Sequence, residues 1–297
     1  MIFLKAIQIL LKVVTLFNTQ LGFRLTRFLA SMPRRSATKE RDQDFINSAK
    51  IIEFYRGGAK KVALSWGKGP VVLLMHGWES RSTHMAAMAQ QLADQGFQAI
   101  ALDFTAHGLS QGRTSGFEAM YKDINALQNY VVENISPNIH AMVGHSGGGF
   151  CMMGNRLLNP LNIKSFVVIA SPLVPHPAID GIANALKASK SVMSLVKENI
   201  ADTFNTNWAS FKNGYIYKPC SQQEQLLLIF DEEDNVVNHQ DAEIIQGHFE
   251  QSTIYKTQGL GHTRLLWDQE VIDQVCDFIS ATNHQFDKPK TRITAKL

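Results

Sequence analysis

Apolar residues in this chain arrive in short unbroken blocks: "VVLLMH" (71–76), "QAIALDF" (98–104), "HAMVG" (140–144), "KSFVVIA" (164–170) and "QLLLIF" (225–230). Blocks of that kind predict strands buried on both faces of a sheet. "STIYKT" (252–257) predicts a last strand. Between the blocks the apolar period changes to that of a helix. Met85, Met88, Ala89 and Leu92 predict one helix, with Gly96 as its stop. Phe117, Met120, Tyr121, Ile124, Leu127 and Val131 predict a second, and "FCMMGNRLL" a third. Val271, Ile272, Val275, Cys276 and Ile279 predict a closing helix. Near the start, "IIEFY" and "KVALSW" flank Gly57 and Gly58, which predicts a hairpin. Strands alternating with helices predict an α/β fold with a mostly parallel, twisted sheet flanked by helices.

The rhythm breaks once. Residues 172–222 separate two strands and contain "AIDGIANALKASKSVMSLVKENI", which reads as helices. A crossover of that length predicts a short helical cap inserted over one edge of the sheet. Its apolar residues Leu173, Met193, Leu195, Val196 and Trp208 are candidates for an acyl pocket or for the cap's own core.

The first 47 residues stand apart from this pattern. In "MIFLKAIQILLKVVTLF", Lys5 and Lys12 interrupt the apolar run, so it fits neither a signal peptide nor a membrane span well. Lys5, Gln8, Lys12 and Thr15 recur at helical intervals on one stripe, with apolar residues around them. This predicts an amphipathic helix with three fates. It lies on a membrane surface with the help of Arg24, Arg27, Arg34 and Arg35, it docks on the protein's own body, or it is an atypical signal or anchor. Pro33 and the polar run to Asp44 read as a linker. The expected organisation is an N-terminal helix and linker over 1–47, a folded domain over 48–280 with the cap at about 172–222, and a tail over 281–297.

Composition narrows the class only a little. The 297 residues are 45% apolar and 19% charged, an ordinary globular balance. A net charge of +3 is too small to argue for nucleic acid as a partner. Cys151, Cys220 and Cys276 lie far apart with no CxxC, so neither a disulfide framework nor a zinc cluster follows. A reducing, cytoplasmic setting is the simpler expectation, with a peripheral position at the inner membrane face if the first helix binds lipid. Oligomeric state is not legible.

Candidate chemistry begins at "GHSGG" (144–148), between a predicted strand and a predicted helix. That context turns a Gly-x-Ser-x-Gly string into a candidate nucleophile elbow centred on Ser146. Gly144 and Gly148 would let neighbouring chain pass close to the turn. The helix behind Ser146 would aim backbone N–H groups at the serine oxygen and at any oxyanion formed there. A serine hydroxyl needs a base. His262, in the glycine-flanked "GLGHTRLL" after the last strand, is the candidate; His239 and His248, in or beside a helix, read as surface histidines. The acid should follow the preceding strand, in "LLLIFDEEDNVV". Asp234, anchored by Val236 and Val237, is favoured over Asp231, and Glu232 and Glu233 read as a solvated turn. A second oxyanion donor is expected from "MHGWES", as the N–H of Trp78 beside that of Gly147. The Trp78 ring could line an acyl pocket. His76, Asp103 and His107 read as loop-shaping residues.

"MHGWES", "LDFTAHGLS", "GHSGG", and "DEEDNVV" followed by "GLGHTRLL" together resemble the α/β-hydrolase superfamily. In wording and order they are most similar to bacterial hydrolases of the lysophospholipase-like or serine-aminopeptidase-like type with a short cap. The resemblance covers about residues 48–280. It implies a Ser146–His262–Asp234 triad and a carboxylesterase- or lipase-like serine hydrolase acting on an ester or thioester of a small or lipid-like acyl substrate, with no metal or cofactor. The chain departs from the hormone-sensitive-lipase branch in lacking HGGG. It departs from haloalkane dehalogenases and soluble epoxide hydrolases in carrying serine, not aspartate, at the elbow. An amidase, peptidase or acyltransferase with the same triad stays open, as does a non-catalytic, membrane-associated use of the fold.

Overall fold

Gly57 and Gly58 both take left-handed φ, at 58° and 76°, which closes a two-residue turn of the kind that matches the twist of paired strands. In the computed structural model, which describes residues 2–35 and 37–286, this turn joins β1 (Lys50–Arg56) to β2 (Ala59–Trp66). The buried blocks follow as β3 (Val71–Met75), β4 (Gln98–Asp103), β5 (Ile139–His145), β6 (Ser165–Ile169), β7 (Gln225–Asp231) and β8 (Ser252–Thr257). They form one sheet in the order β1-β2-β4-β3-β5-β6-β7-β8. Among the described strands β2 alone runs against the rest.

Neighbouring residues on the strands feed two separate cores. Leu73, Ile100, Met142, Phe166 and Leu228 face one side of the sheet. Leu74, Ala101, Val143, Val167 and Ile229 face the other. The first side is covered by α5 (Phe117–Asn134), α6 (Ser146–Leu158) and α10 (Asp241–His248). The second is covered by α4 (Ala86–Asp94) and α12 (Gln269–Phe286). Helices on both faces explain why the strands read as continuous apolar runs with no polar alternation.

Between β6 and β7 stand α7 (His176–Leu186), α8 (Lys190–Thr203) and α9 (Trp208–Lys212). Arg156 of α6 fastens the end of this segment: it pairs with Glu224 at 2.6 Å and donates to the carbonyls of Ile216 and Lys218. Both partners of the pair are buried.

The N-terminal region is more structured than its polarity suggests. It holds α1 (Ile2–Phe17) and α2 (Thr19–Ala30), separated at Asn18, whose side chain caps α2 by accepting from Leu21 N–H. α1 packs on the cap helix α7, and α2 on both α7 and α8. The stretch read as a linker contains α3 (Glu40–Ser48). Asp42 explains that helix: its carboxylate accepts from Lys39 N–H and from the Thr83 hydroxyl, and it faces Arg81. A capping carboxylate buried against the domain stabilises a helix too polar and short to be read from periodicity. Arg35 ties the preceding chain to the carbonyls of Ala106 and Ser110. At the other end α12 runs to Phe286, into the stretch read as tail; residues 287–297 lie outside the described residues.

Candidate active site

The parallel strands β3, β5, β6, β7 and β8 all point their carboxyl ends the same way, and loops at such ends are where sites of open α/β sheets gather. Ser146 follows β5 directly and starts α6. It is one of the few non-glycine residues with positive φ, at 51°, a conformation that costs about 1–3 kcal/mol and persists only when its surroundings enforce it. Those surroundings are two close passes of backbone and one of backbone against the serine side chain. A methyl group on Gly148 would collide with the carbonyls of His76 and Met75, and one on Gly144 would collide with Gly149. One on Gly77 would lie 3.1 Å from the Ser146 Cβ.

His262 Nε2 lies 3.0 Å from Ser146 Oγ, and its Nδ1 lies 2.7 Å from Asp234 Oδ2. His262 comes from a short helix, α11 (Gly261–Arg264), where a glycine-flanked loop was expected. The Asp234 side chain is wholly buried. Burial pushes its carboxyl up, but hydrogen bonds from His262 and from the N–H groups of Val237 and Val236 outweigh that and hold it below the usual carboxylate value. A buried carboxylate facing Nδ1 favours the tautomer with hydrogen on Nδ1, leaving Nε2 free to accept from Ser146.

Trp78 and Gly147 face each other across this serine. A methyl group on Gly147 would lie 4.0 Å from the Trp78 nitrogen. The Trp78 N–H has no acceptor among the described residues. That of Gly147 lies in the first turn of α6, where a helix supplies none.

Two further residues shape the site: Asp231, which the sequence offered only as the alternative acid, and His145, which it did not single out. Asp231 ends β7 and accepts from the N–H groups of Glu233, Leu260 and Gly261 and from the Thr257 hydroxyl. It does not face the imidazole. It holds the Asp234 and His262 loops together instead. His145 precedes Ser146 and donates from Nε2 to the His262 carbonyl at 2.8 Å. Burial, and then the nearby His262, lower its pKa to about 3. A carboxylate that opens a run of four acidic residues, and a histidine in a variable slot of a motif, offer no signal that distinguishes these roles.

The loop-shaping residues do shape loops. His76 is buried and far below its ordinary pKa for that reason; it accepts from Phe104 N–H and donates to the Gly77 carbonyl. Asp103 accepts from the N–H groups of Ser82 and Leu109. His107 accepts from Glu79 N–H. His239 and His248 are half-buried, not fully solvated. His248 packs against Gly214, and His239 lies 3.3 Å from Lys256 Nζ.

A cavity of about 640 Å³ opens onto Ser146 and His262. Trp78, the cap helices and α2 wall it. Of the five cap residues expected at a pocket, Val196 both lines it and joins the core; Leu173 and Met193 belong to the core, Trp208 packs on Phe211, and Leu195 is half-buried outside the lining. Among the described residues no group of three or more His, Cys, Asp or Glu side chains converges so as to hold a metal ion.

The sheet order and the strand–turn–helix around Ser146 define an α/β-hydrolase. The family model of the serine aminopeptidases, S33, matches residues 68–261, and the chain belongs to that hydrolase family. It is 28% identical over 134 residues to 2-(acetamidomethylene)succinate hydrolase of Mesorhizobium japonicum, covering 44% of this chain and 46% of that one. It is 33% identical over 119 residues to a human serine hydrolase-like protein, covering 37% and 55%. The matches therefore span between about a third and about half of the curated relatives' lengths. Among solved structures, an esterase of Pyrococcus furiosus superposes with a TM-score of 0.62 at 19% identity, over 84% of this chain and 98% of that one.

Proposed function

We propose that this chain hydrolyses a carboxylic ester or thioester through an acyl-enzyme on Ser146. The observation that carries the reading is the unbroken run from Asp234 through His262 to Ser146, at 2.7 and 3.0 Å. Ser146 Oγ attacks the carbonyl carbon while His262 Nε2 takes its proton. The carbonyl oxygen becomes an oxyanion, which the N–H groups of Trp78 and Gly147 stabilise. The tetrahedral adduct collapses, the carbon–leaving-group bond breaks, and His262 returns its proton to the departing alkoxide or thiolate. Water then attacks the acyl-enzyme with His262 again as base, the bond from the acyl carbon to Ser146 Oγ breaks as His262 returns the proton to Oγ, and the acid leaves. Asp234 orients the imidazole and stabilises it when charged.

An amidase or peptidase with the same triad is the competing reading, and the family's aminopeptidase members favour it. The cavity wall argues the other way. An aminopeptidase must hold a substrate ammonium group, which calls for a carboxylate. The acidic residue in the described lining is Glu118, and it is already bonded to Lys122. Arg24 and Arg27 stand on the opposite side of the balance. A serine-directed fluorophosphonate should label the protein and spare Ser146→Ala. No labelling of the wild type, or equal labelling of both, refutes the nucleophile. Turnover of p-nitrophenyl esters against aminoacyl anilides then separates esterase from peptidase.

A further inference from the structure

Helix α1 divides its polar residues: Lys5 and Lys12 are exposed, whereas Gln8 and Thr15 turn toward the protein beside buried Leu11. On that inner face of α1 Gln8 donates to the Ala185 carbonyl of α7 at 2.9 Å, and Thr15 packs against Gly22 of α2. Its opposite face is apolar and open. Ile9 is 63% exposed, Leu16 78% and Phe17 86%, with Leu10 and Val13 exposed between them. Spacings of three, four and seven residues put these side chains on one stripe. Lys5 and Lys12 flank it, seven residues apart. Leu21 and Phe28 of α2 extend the exposed apolar surface.

Charge is segregated in the same region. The first acidic residue of the chain is Glu40, and seven Lys and Arg precede it. The remaining 22 of the 29 basic residues stand against 26 acidic ones, so the rest of the chain is net acidic. Among the described residues Arg24 and Arg27 form no ion pair, and both edge the cavity that reaches Ser146. The hairpin thus joins an open apolar face, unpaired cations and one wall of the cavity.

We infer that the α1–α2 hairpin seats the protein on an anionic phospholipid bilayer. The apolar stripe of α1 enters the boundary between headgroups and acyl chains. Lys5, Lys12, Arg24 and Arg27 meet the lipid phosphates. No described helix is long and apolar enough to cross a membrane, so α1 lies in the plane of the surface. A second copy of the chain is a poorer occupant, because it brings the same acid-free, cationic segment and the two repel. Seated this way, the cavity mouth opens at the bilayer, and an acyl lipid passes from the membrane to Ser146; this last step rests on the hydrolase reading, whereas the docking does not.

The test uses the full chain and vesicles of phosphatidylcholine with and without phosphatidylglycerol. The wild type co-sediments with the anionic vesicles, far less with the neutral ones, and is released by salt. Ile9→Glu with Leu16→Glu, both outside the cavity, abolishes co-sedimentation. It leaves turnover of a soluble short-chain p-nitrophenyl ester at the wild-type rate and slows turnover of an ester embedded in the vesicles. Equal sedimentation of variant and wild type overturns the inference. So does a wild-type dimer that the variant converts to a monomer, which assigns the stripe to a second copy. Vesicle binding that follows the variant, without ester turnover by either protein, overturns only the hydrolase reading.

Discussion

The imidazole of His145 donates to the main-chain carbonyl of His262 across 2.8 Å, so the residue before Ser146 holds the backbone of the histidine that faces Ser146. The two rings lie 4.9 Å apart. Nδ1 of His145 is buried and has no partner among the described residues. The ring is therefore neutral in the folded protein, with its hydrogen on Nε2, and protonation would place a charge beside the candidate triad.

Acid stability should depend on this ring. Unfolded, His145 titrates near its ordinary 6.5; folded, near 3. Between those values the unfolded chain binds a proton that the folded chain does not. The contribution is whole above pH 6.5 and is lost as pH falls toward 3, by up to about 1.4 kcal/mol per pH unit. Burial of His76 acts in the same direction. His145→Gln keeps an N–H donor near the Nε2 position and removes the titration. Urea midpoints measured from neutral pH down to about pH 4 should fall less steeply in the variant. Parallel curves would contradict this account.

The two aspartates after β7 should separate by what they lose. Asp234→Asn keeps an oxygen for Val236 and Val237 but turns a donor toward His262 Nδ1. The imidazole then places its hydrogen on Nε2 and cannot accept from Ser146. We expect kcat to drop about 10⁴-fold with little change in Tm. Asp231→Asn instead leaves up to two of its four half-buried donors without an acceptor. It should cost about 1–3 kcal/mol of stability, with a smaller effect on kcat in the molecules that remain folded. Stopped ester turnover and thermal melts on both variants decide the assignment.

Glycines at the elbow should differ sharply within one motif. A Cβ at 148 meets two backbone carbonyls that cannot move aside without shifting β3. Gly148→Ala should lose roughly 1–3 kcal/mol or fail to fold. At Gly147 the nearest atoms lie at 4.0 Å, and Gly147→Ala should hold Tm within the range expected of a neutral substitution, about ±0.5 kcal/mol. Equal melting of the two variants would show that the close passes are not what enforces the turn.

The meeting of Ser146, His262 and Asp234 was legible because each follows a predicted strand, and parallel strands deliver their following loops to one edge. The preference for Asp234 over Asp231 rested on an anchoring apolar pair, of which Val237 alone is buried; Val236 is 49% exposed, and both give Asp234 their main-chain N–H groups instead. Three things were not legible. The work of Asp231 depends on a loop 29 and 30 residues further on, and no local pattern records it. Asp42 makes a helix of a polar stretch through Thr83 and Arg81, contacts that exist only after folding. Periodicity placed Lys5, Gln8, Lys12 and Thr15 on one stripe of α1 but could not say that the stripe divides. The lysines stay in solvent, whereas α7 supplies the carbonyl that accepts from Gln8, and Gly22 admits Thr15.

Chain-length preference should be adjustable at Gly181. This residue lies in α7, lines the cavity, and has no atom within 4 Å of where a Cβ would stand. Replacing glycine inside a helix is favourable by about 0.5–1 kcal/mol, so a larger residue there should not lower stability. Gly181→Phe would instead occupy part of the 640 Å³ that an acyl chain would fill. Across p-nitrophenyl esters of increasing length, kcat/KM for short chains should stay near wild type, and for long chains it should fall by tenfold or more, about 1.4 kcal/mol. Trp78→Ala provides the contrast: the backbone N–H stays and the ring goes, so KM should rise at all lengths while kcat changes little. A uniform loss of kcat in Gly181→Phe would place the acyl chain elsewhere than beneath the cap.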